Sequence, residues 1–190
     1  MKQVWPHYSP TRTQNGWLDT PVSEAQLQQI YDLMKWGRPR LNCSPARIVF
    51  VKGGEAKENC WPAWVQATWK KYMQRASHRD YRYGHGVLRE IAALFPHADA
   101  RSWFVGNQAL IDATAFRNSS LQGAYFMLAA RALGLGCGPM SGFDGDKINA
   151  AFFSDTTVKV NFVCSIGYGD AAKVFGRSPR LSFDEACKIL

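Results

Sequence analysis

The chain has 190 residues, of which 46% are hydrophobic, so it is long enough to build one domain around a sizeable core. It contains no run of the roughly 18–20 consecutive apolar residues that a membrane-spanning helix needs, and its first twenty residues lack the apolar stretch of a signal peptide. We therefore expect a single domain over residues 1–190, located in the cytoplasm and without a membrane partner.

The net charge of +8 is the one bulk property that suggests a nucleic-acid partner. Six of the eight charges lie in two short segments, because residues 61–90 carry a net +4 and Arg38 and Arg40 add two more. The rest of the chain is close to neutral, so we expect no nucleic-acid partner. A nucleic-acid binder that uses the Lys70–Arg89 run stays as an alternative, which salt-dependent affinity would reveal.

Two regular elements are predicted in the first third of the chain. Ser23 followed by Gln26 has the spacing of a capping box, and apolar residues recur at helical intervals over Leu27–Met34. This helix should end just before Gly37. The β-rich run Ala46–Val51 predicts a short buried strand.

A long helix is predicted next, over residues 107–133, with Gly134 as its end. A glycine-rich turn is expected to follow over Gly134–Phe143. Asp144 has the position of an N-cap for a short helix that runs through Phe153.

The last predicted elements are a strand over Lys159–Gly167 and a terminal helix that begins at Ser182 with Glu185 three residues on. Helices interspersed with apolar strands imply an α/β or α+β core.

Side chains that could do chemistry by themselves are scarce. The five cysteines form no C-x-x-C, and the four histidines show no ligand spacing, so we expect reduced thiols and no metal site. The chain has no G-x-S-x-G, no P-loop and no G-x-G-x-x-G between a strand and a helix. An enzyme of this kind often leaves the chemistry to a cofactor.

The remaining polar features suit a flat, phosphorylated ligand. Arg12 with Thr13 can contact a phosphate, and Arg177 with Arg180 can close on the same group. Glycines in Gly134–Phe143 let backbone N–H groups approach a ligand closely. The same residues also fit ordinary surface polarity, a solvated loop and a helix cap followed by a turn, and these alternatives stay open at this point.

Eight strings along the chain stand out: T-R-T-Q-N-G-W-L-D (11–19), P-V-S (21–23), I-Y-D-L-M-K-W-G (30–37), N-C-S-P-A-R (42–47), A-F-R-N-S-S-L-Q-G-A-Y (115–125), G-P-M-S-G-F-D (138–144), I-G-Y-G-D (166–170) and R-S-P-R-L-S-F-D-E-A-C (177–187). Together they resemble one subfamily of the FMN-dependent nitroreductase superfamily, the malonic-semialdehyde (3-hydroxypropionate) reductases of pyrimidine utilisation.

The resemblance implies an α+β fold with a central, mostly antiparallel sheet flanked by helices. It also implies an obligate homodimer with two FMN sites at the interface, across which residues 116–133 pack. NADH or NADPH would give a hydride to flavin N5, and an aldehyde would then accept it, so that the flavin carries the chemistry and no side chain is assigned as catalytic.

The resemblance further implies the cofactor contacts. Arg12 and Thr13 would hold the FMN phosphate and ribityl side, and Arg177 and Arg180 would reach the phosphate. Asn42 would lie beside the ring. The residues that would lie over the ring near N5 are Pro139, Met140, Ser141 and Gly142.

Residues 38–41 and about 61–91 depart from the subfamily. It has P-T-S-A before Asn42, and an apolar strand of the type A-P-V-T-A-I-I-A inside the second stretch. Arg75–Ile91 can be encoded by a set of codons that, when translated one base out of frame, gives A-P-V-T-A-I-I-A-M-D-M-A-F-Y-E-K-L. Codons that encode residues 38–41 likewise give P-T-S-A when they are translated in a neighbouring frame. We interpret both stretches as compensated frameshifts.

Two further functions stay open beside the aldehyde reductase. One is a broad-specificity nitro or quinone reductase that uses the same flavin with another acceptor. The other is an FMN-binding homologue whose catalysis is impaired by the two departing stretches.

Overall fold

The computed structural model describes residues 12–37, 39–52, 77–83 and 87–190, and its centre is an antiparallel sheet. The strands are β1 (Ala46–Val51), β2 (Ser77–Tyr83), β3 (Gly136–Met140) and β4 (Lys159–Gly167), and they lie side by side in the order β1-β2-β4-β3.

Helices surround this sheet, which makes the fold α+β as expected. They are α1 (Glu24–Met34), α2 (Val87–Leu94), α3 (Gln108–Ala132), α4 (Gly145–Phe153) and α5 (Phe183–Ala186). Two 3-10 turns cover Arg40–Asn42 and Ala171–Lys173. Within the described ranges, none of these helices is long and apolar enough to cross a membrane.

The elements predicted from local signals are confirmed. The capping box of α1 forms in both directions, since the Ser23 N–H donates to the Gln26 side chain at 3.0 Å and the Gln26 N–H donates to Ser23 Oγ at 3.2 Å. β1 and β4 have the predicted bounds, and Asp144 caps α4. The terminal helix begins after Ser182 but is only four residues long.

The long helix α3 ends as its glycine predicts. Gly134 has a φ of 78°, a conformation that glycine adopts without steric cost. The N–H of Gly134 bonds the Arg131 carbonyl at 2.9 Å, and the N–H of Leu135 bonds the Ala130 carbonyl at 2.9 Å. This paired closure is a Schellman motif, and it turns the chain directly into β3.

The prediction of a turn over the whole of Gly134–Phe143 is wrong, because its middle forms β3. Pairing with β4 overrides the weak strand propensity of G-C-G-P-M. The lack of a side chain at Gly136 is used for packing, since a Cβ there would lie 2.5 Å from Cγ of Gln14. Pro139 is tolerated because β3 is an edge strand of the sheet.

The 61–91 stretch offered no usable period, yet its second half forms β2 and the start of α2. β2 pairs with β1 on one side and with β4 on the other, so it is central in the sheet. Residues 53–76 and 84–86, and with them the rest of the stretch, lie outside the described residues.

Three buried clusters hold these layers together. The largest lies between α1, α3 and one face of the sheet, the second gathers around the Arg40–Asn42 turn and α2, and the third lies beneath α4. Four cysteines, Cys43, Cys137, Cys164 and Cys187, are free thiols, whereas Cys60 lies outside the described residues.

Candidate functional site

The N-terminal segment is held against the β3–β4 edge of the sheet. The Gln14 N–H donates to the Cys137 carbonyl at 3.2 Å, and the Leu18 N–H donates to the Tyr168 carbonyl at 2.8 Å. Arg12 and Thr13, just before this anchor, are half-buried and exposed respectively. The predicted phosphate-binding pair is therefore fixed beside β3.

The connection from β3 to α4 brings the next predicted contacts to the same edge. Pro139 and Ser141 are exposed and Gly142 is half-buried, whereas Met140 is buried in the cluster under α4. Met140 therefore packs into the protein, and its side chain is not free for a ligand.

The beginning of α4 keeps this connection in place. The Asp144 carboxylate accepts hydrogen bonds from the backbone N–H groups of Asp146 at 3.1 Å and Lys147 at 3.2 Å. The bond from the Lys147 backbone is the main reason that the pKa of Asp144 lies below its usual value. Asp144 therefore stays ionised at neutral pH and caps the helix.

Asn42 lies elsewhere, in the 3-10 turn that precedes β1. Its side-chain Nδ2 donates to the Leu94 carbonyl at 3.1 Å, at the end of α2. Together with Gln122 and Arg47 it lines a cavity of about 530 Å³ between α1, β1 and α2. This volume is within the range of ligand pockets.

The residue next to Asn42 is a buried thiol. Cys43 is 1% exposed, and burial raises the pKa of its thiol from 9.0 to about 11, an effect that a hydrogen bond with Asn118 partly opposes. A thiol of this kind stays protonated at neutral pH, so it is unsuited to act as a nucleophile.

The C-terminal pair lies in an exposed segment. Both Arg177 and Arg180 are exposed, and Nη1 of Arg180 donates to the carbonyls of Ser178 at 3.0 Å and Pro179 at 2.9 Å in its own loop. This guanidinium is thus oriented by local backbone.

One protomer brings only part of the predicted site together. The Arg12–Thr13 segment and the Pro139–Gly142 connection share the β3 edge, whereas Asn42 lies before β1 at the opposite edge. Three strand spacings separate these edges, roughly 14 Å. Within one protomer, Asn42 therefore lies apart from the other predicted contacts at the β3 edge.

Two residues at the β3 edge were not singled out from the sequence. Oε1 of Gln14 and Nε1 of Trp17 are among the buried side-chain atoms of the described residues that have no hydrogen-bond partner. Buried polar atoms without partners are uncommon and call for an explanation such as a ligand or ordered water. Both lie in the string T-R-T-Q-N-G-W-L-D, which was the only available signal. In the described part of the chain, no group of His, Cys, Asp and Glu is arranged to hold a metal.

Known proteins match this chain over most of its length. A family described as the nitroreductase family matches residues 12–168. Relatives provisionally named NADH dehydrogenase/NAD(P)H nitroreductase come from Polynucleobacter asymbioticus and Ralstonia nicotianae. The first is 55% identical over 183 residues (94% of this chain, 91% of that protein), and the second is 50% identical over 183 residues (96% and 94%).

Solved structures agree on the fold. A protein from Exiguobacterium sibiricum, provisionally called a nitroreductase and solved in complex with FMN, superposes with a TM-score of 0.78 over 100% of this chain and 96% of that one. It is 16% identical, so this likeness concerns the fold alone. On the family match and the two close relatives together, the chain belongs to the nitroreductase family.

Proposed function

We propose that this chain is an FMN-dependent NAD(P)H oxidoreductase that acts as a homodimer and reduces malonic semialdehyde to 3-hydroxypropionate. The flavin part rests on one observation, the 3.2 Å hydrogen bond from Gln14 to Cys137 that fixes the Arg12–Thr13 segment beside β3. A guanidinium and a hydroxyl thereby lie at the same sheet edge as the Pro139–Gly142 connection, in which Pro139 and Ser141 are exposed.

The residues at this edge fit FMN. Arg12 and Thr13 can bind a phosphate by charge-assisted and neutral hydrogen bonds. The unpartnered buried atoms of Gln14 and Trp17 leave polar groups for a cofactor or for water that accompanies it. Hydride transfer from NAD(P)H to an acceptor is the chemistry that bound FMN would supply, while the chain binds and orients the reactants.

A homodimer is supported by the surface of α3. Leu121, Tyr125 and Leu128 lie on one side of this helix and are each between 37% and 42% exposed. An exposed apolar row on a long helix is typical of a protein–protein interface. A second copy could also contribute its own Asn42 to the site, because the Asn42 of the same protomer lies about three strand spacings, roughly 14 Å, from the β3 edge.

The dimer can be tested by sedimentation. Leu121→Arg should give monomers and remove bound FMN, because it introduces a charge into the proposed interface. Leu33→Arg is the matched control, since Leu33 is similarly exposed, at 50%, but lies on a different helix, α1, and it should leave the dimer intact. A Leu121→Arg protein that sediments as wild type would contradict this interface.

The acceptor is the finer part of the proposal. Malonic semialdehyde is supported by the strings that resemble the aldehyde-reductase subfamily, which run from Thr11 to Cys187. A nitro or quinone acceptor is the second candidate, and the names of the two close relatives favour it. Steady-state turnover with the aldehyde, a nitroaromatic and a quinone separates the two by kcat/KM.

An impaired homologue is the third candidate, and β2 is the observation that favours it. The strand V-T-A-I-I-A of the out-of-frame translation falls on residues 77–82 and its helical start on 87–91, where the structure has β2 and the first turns of α2. This coincidence supports a compensated frameshift. An uninterrupted frame in the source DNA would exclude a sequencing error.

The deciding experiment is a visible absorption spectrum before and after anaerobic addition of NADH or NADPH. We expect flavin bands that bleach, and an affinity for FMN that falls at least about tenfold in Arg12→Ala. Arg101→Ala, at an exposed arginine away from the β3 edge, is the control and should bind FMN normally. A wild-type protein that takes up no FMN would overturn the proposal.

A further inference from the structure

Buried polar side chains form a row along one face of α3. Thr114, Asn118 and Gln122 are four residues apart, which puts them one above another on the helix, and they are 5%, 1% and 7% exposed. Burial of a polar side chain is unfavourable unless a hydrogen bond replaces the lost water. The partners of this row therefore indicate its role.

Two members of the row bind the segment that leads into β1. The Oε1 atom of Gln122 accepts a 2.9 Å hydrogen bond from the backbone N–H of Ala46. Asn118 hydrogen-bonds the thiol of Cys43, which is almost completely buried. The helix thus holds both ends of the segment 43–46.

The backbone just before that segment has an unfavourable conformation. Leu41 and Asn42 have φ angles of 57° and 53°, in the left-handed region that residues with a Cβ avoid. Such residues persist where surrounding contacts over-determine them, and they cluster at ligand sites. Here Asn42 also bonds the Pro39 carbonyl through its N–H, at 3.2 Å, and the Leu94 carbonyl through its side chain.

We propose that Gln122 and Asn118 are positioning residues for the flavin site. They hold segment 43–46 so that the left-handed Leu41–Asn42 turn keeps one conformation and presents Asn42 in a fixed place. Relaxation of the turn would break the Gln122–Ala46 bond and uncover Cys43. The role of Asn42 at the cofactor rests on the proposed function, whereas the hold on the turn does not.

The test compares Gln122→Met with Ser119→Ala. The first removes the acceptor and keeps a similar side-chain size. The second removes a polar group that is also buried on the same helix. The hydroxyl of Ser119 hydrogen-bonds Phe116 and Asn161 and does not bond segment 43–46.

Two measurements are made on each variant. The first is amide hydrogen exchange at Asn42 in flavin-free protein, because this N–H bonds Pro39 and so reports on the turn itself. The second is the affinity for added FMN. Gln122→Met should raise the exchange rate and weaken FMN binding, each about tenfold, whereas Ser119→Ala should leave both at the wild-type values.

A rescue distinguishes positioning from a general loss of stability. Adding Leu41→Gly to Gln122→Met supplies a residue that adopts the left-handed conformation freely, so FMN affinity should return toward the wild-type value. A merely structural role of Gln122 would not respond to this change.

Three outcomes would count against the inference. Unchanged exchange at Asn42 in Gln122→Met, or an equal rise in Ser119→Ala, would overturn the hold on the turn. Faster exchange with unaltered FMN affinity would overturn its link to the cofactor. A wild-type protein that binds no FMN would contradict the proposed function, while the exchange rates would still support or overturn the hold.

Discussion

β2 and β4 are neighbours in the middle of the sheet, and their sequences have opposite character. β4 contains Val163, Cys164 and Ile166, all completely buried. β2 has the sequence S-H-R-D-Y-R-Y, and its backbone places Arg79 in register with Cys164 and Asp80 in register with Val163. A strand rich in charged residues thus occupies the position beside a strand whose last five residues are buried.

The comparison separates two requirements on a central strand. Its backbone must supply hydrogen bonds to the strands on both sides, and S-H-R-D-Y-R-Y meets this requirement through its pairing with β1 and β4. Its side chains must also suit a central position in the sheet, and four of its seven residues are histidine, arginine or aspartate. Topology therefore fixes where the strand lies, whereas side-chain chemistry decides how stable the fold is.

The largest expected effect comes from making the two strands alike. A variant whose β2 carries the apolar residues of the out-of-frame translation should have a free energy of unfolding about 5 kcal/mol higher than the wild type, because charges next to buried residues are costly. Urea denaturation measures the gain. The substitutions are Ser77→Val, His78→Thr, Arg79→Ala, Asp80→Ile, Tyr81→Ile and Arg82→Ala.

A charge-preserving control isolates the cause. Arg79→Lys, Asp80→Glu and Arg82→Lys keep the charges of β2, so this variant should unfold at the wild-type urea concentration. If the apolar variant is no more stable than the wild type, the charged residues of β2 do not weaken the fold.

A pair of alanine substitutions at one register position gives the next largest effect. Val163→Ala should destabilise by about 2–3 kcal/mol, because Val163 is completely buried against Met140 and Ile148. Asp80→Ala, across from it on β2, should cause no loss. Equal losses from both substitutions, measured in urea, would show that the two strands contribute alike.

Local sequence signals predicted the elements that depend on neighbours in the chain. The Ser23 capping box, the Gly134 helix end and the Asp144 N-cap all act within a few residues, and all three were correct. β3 and β2 were missed because each forms through pairing with β4, from residues of low or mixed strand propensity.

The positions of the candidate site residues also divide into those that the sequence predicted and those that depend on strand order. The resemblance put Arg12 and the Pro139–Gly142 connection in one site, and the structure has both at one sheet edge. No local signal shows that Asn42 lies at the opposite edge, because strand order decides this. The bond from Ala46 to Gln122 joins residues 76 apart, and it was equally out of reach of periodicity.

The third expected effect comes from Cys43, which follows the Arg40–Asn42 turn and the departing stretch 38–41. Burial raises the pKa of Cys43 from 9.0 to about 11, so the unfolded chain ionises its thiol first as pH rises. Keeping this thiol neutral in the folded protein stabilises it fully below pH 9. The stabilisation, roughly 2–3 kcal/mol, is then lost as the pH rises from 9 to 11. Urea denaturation across this range measures it.

Cys43→Ala supplies the control, because every other titrating group is common to both proteins. The difference in unfolding free energy between wild type and variant should shrink as pH rises from 9 to 11. A constant difference over this range would mean that the thiol is not buried as the structure has it, and that the turn is more open.

The smallest expected effect is on two N-caps, one on a packed helix and one on an exposed helix, and it tests whether a cap adds to global stability only when its helix is packed. Ser23 and Ser182 both begin capping boxes, but α1 buries Leu27, Ile30 and Met34 in the main cluster, while α5 is exposed throughout. Ser23→Ala should therefore cost about 1 kcal/mol of global stability. Ser182→Ala should leave the urea midpoint unchanged, because a helix that buries nothing can fray without unfolding the domain. A comparable loss from Ser182→Ala would mean that α5 is packed in solution, and the partner subunit of the proposed dimer is the surface that would cover it.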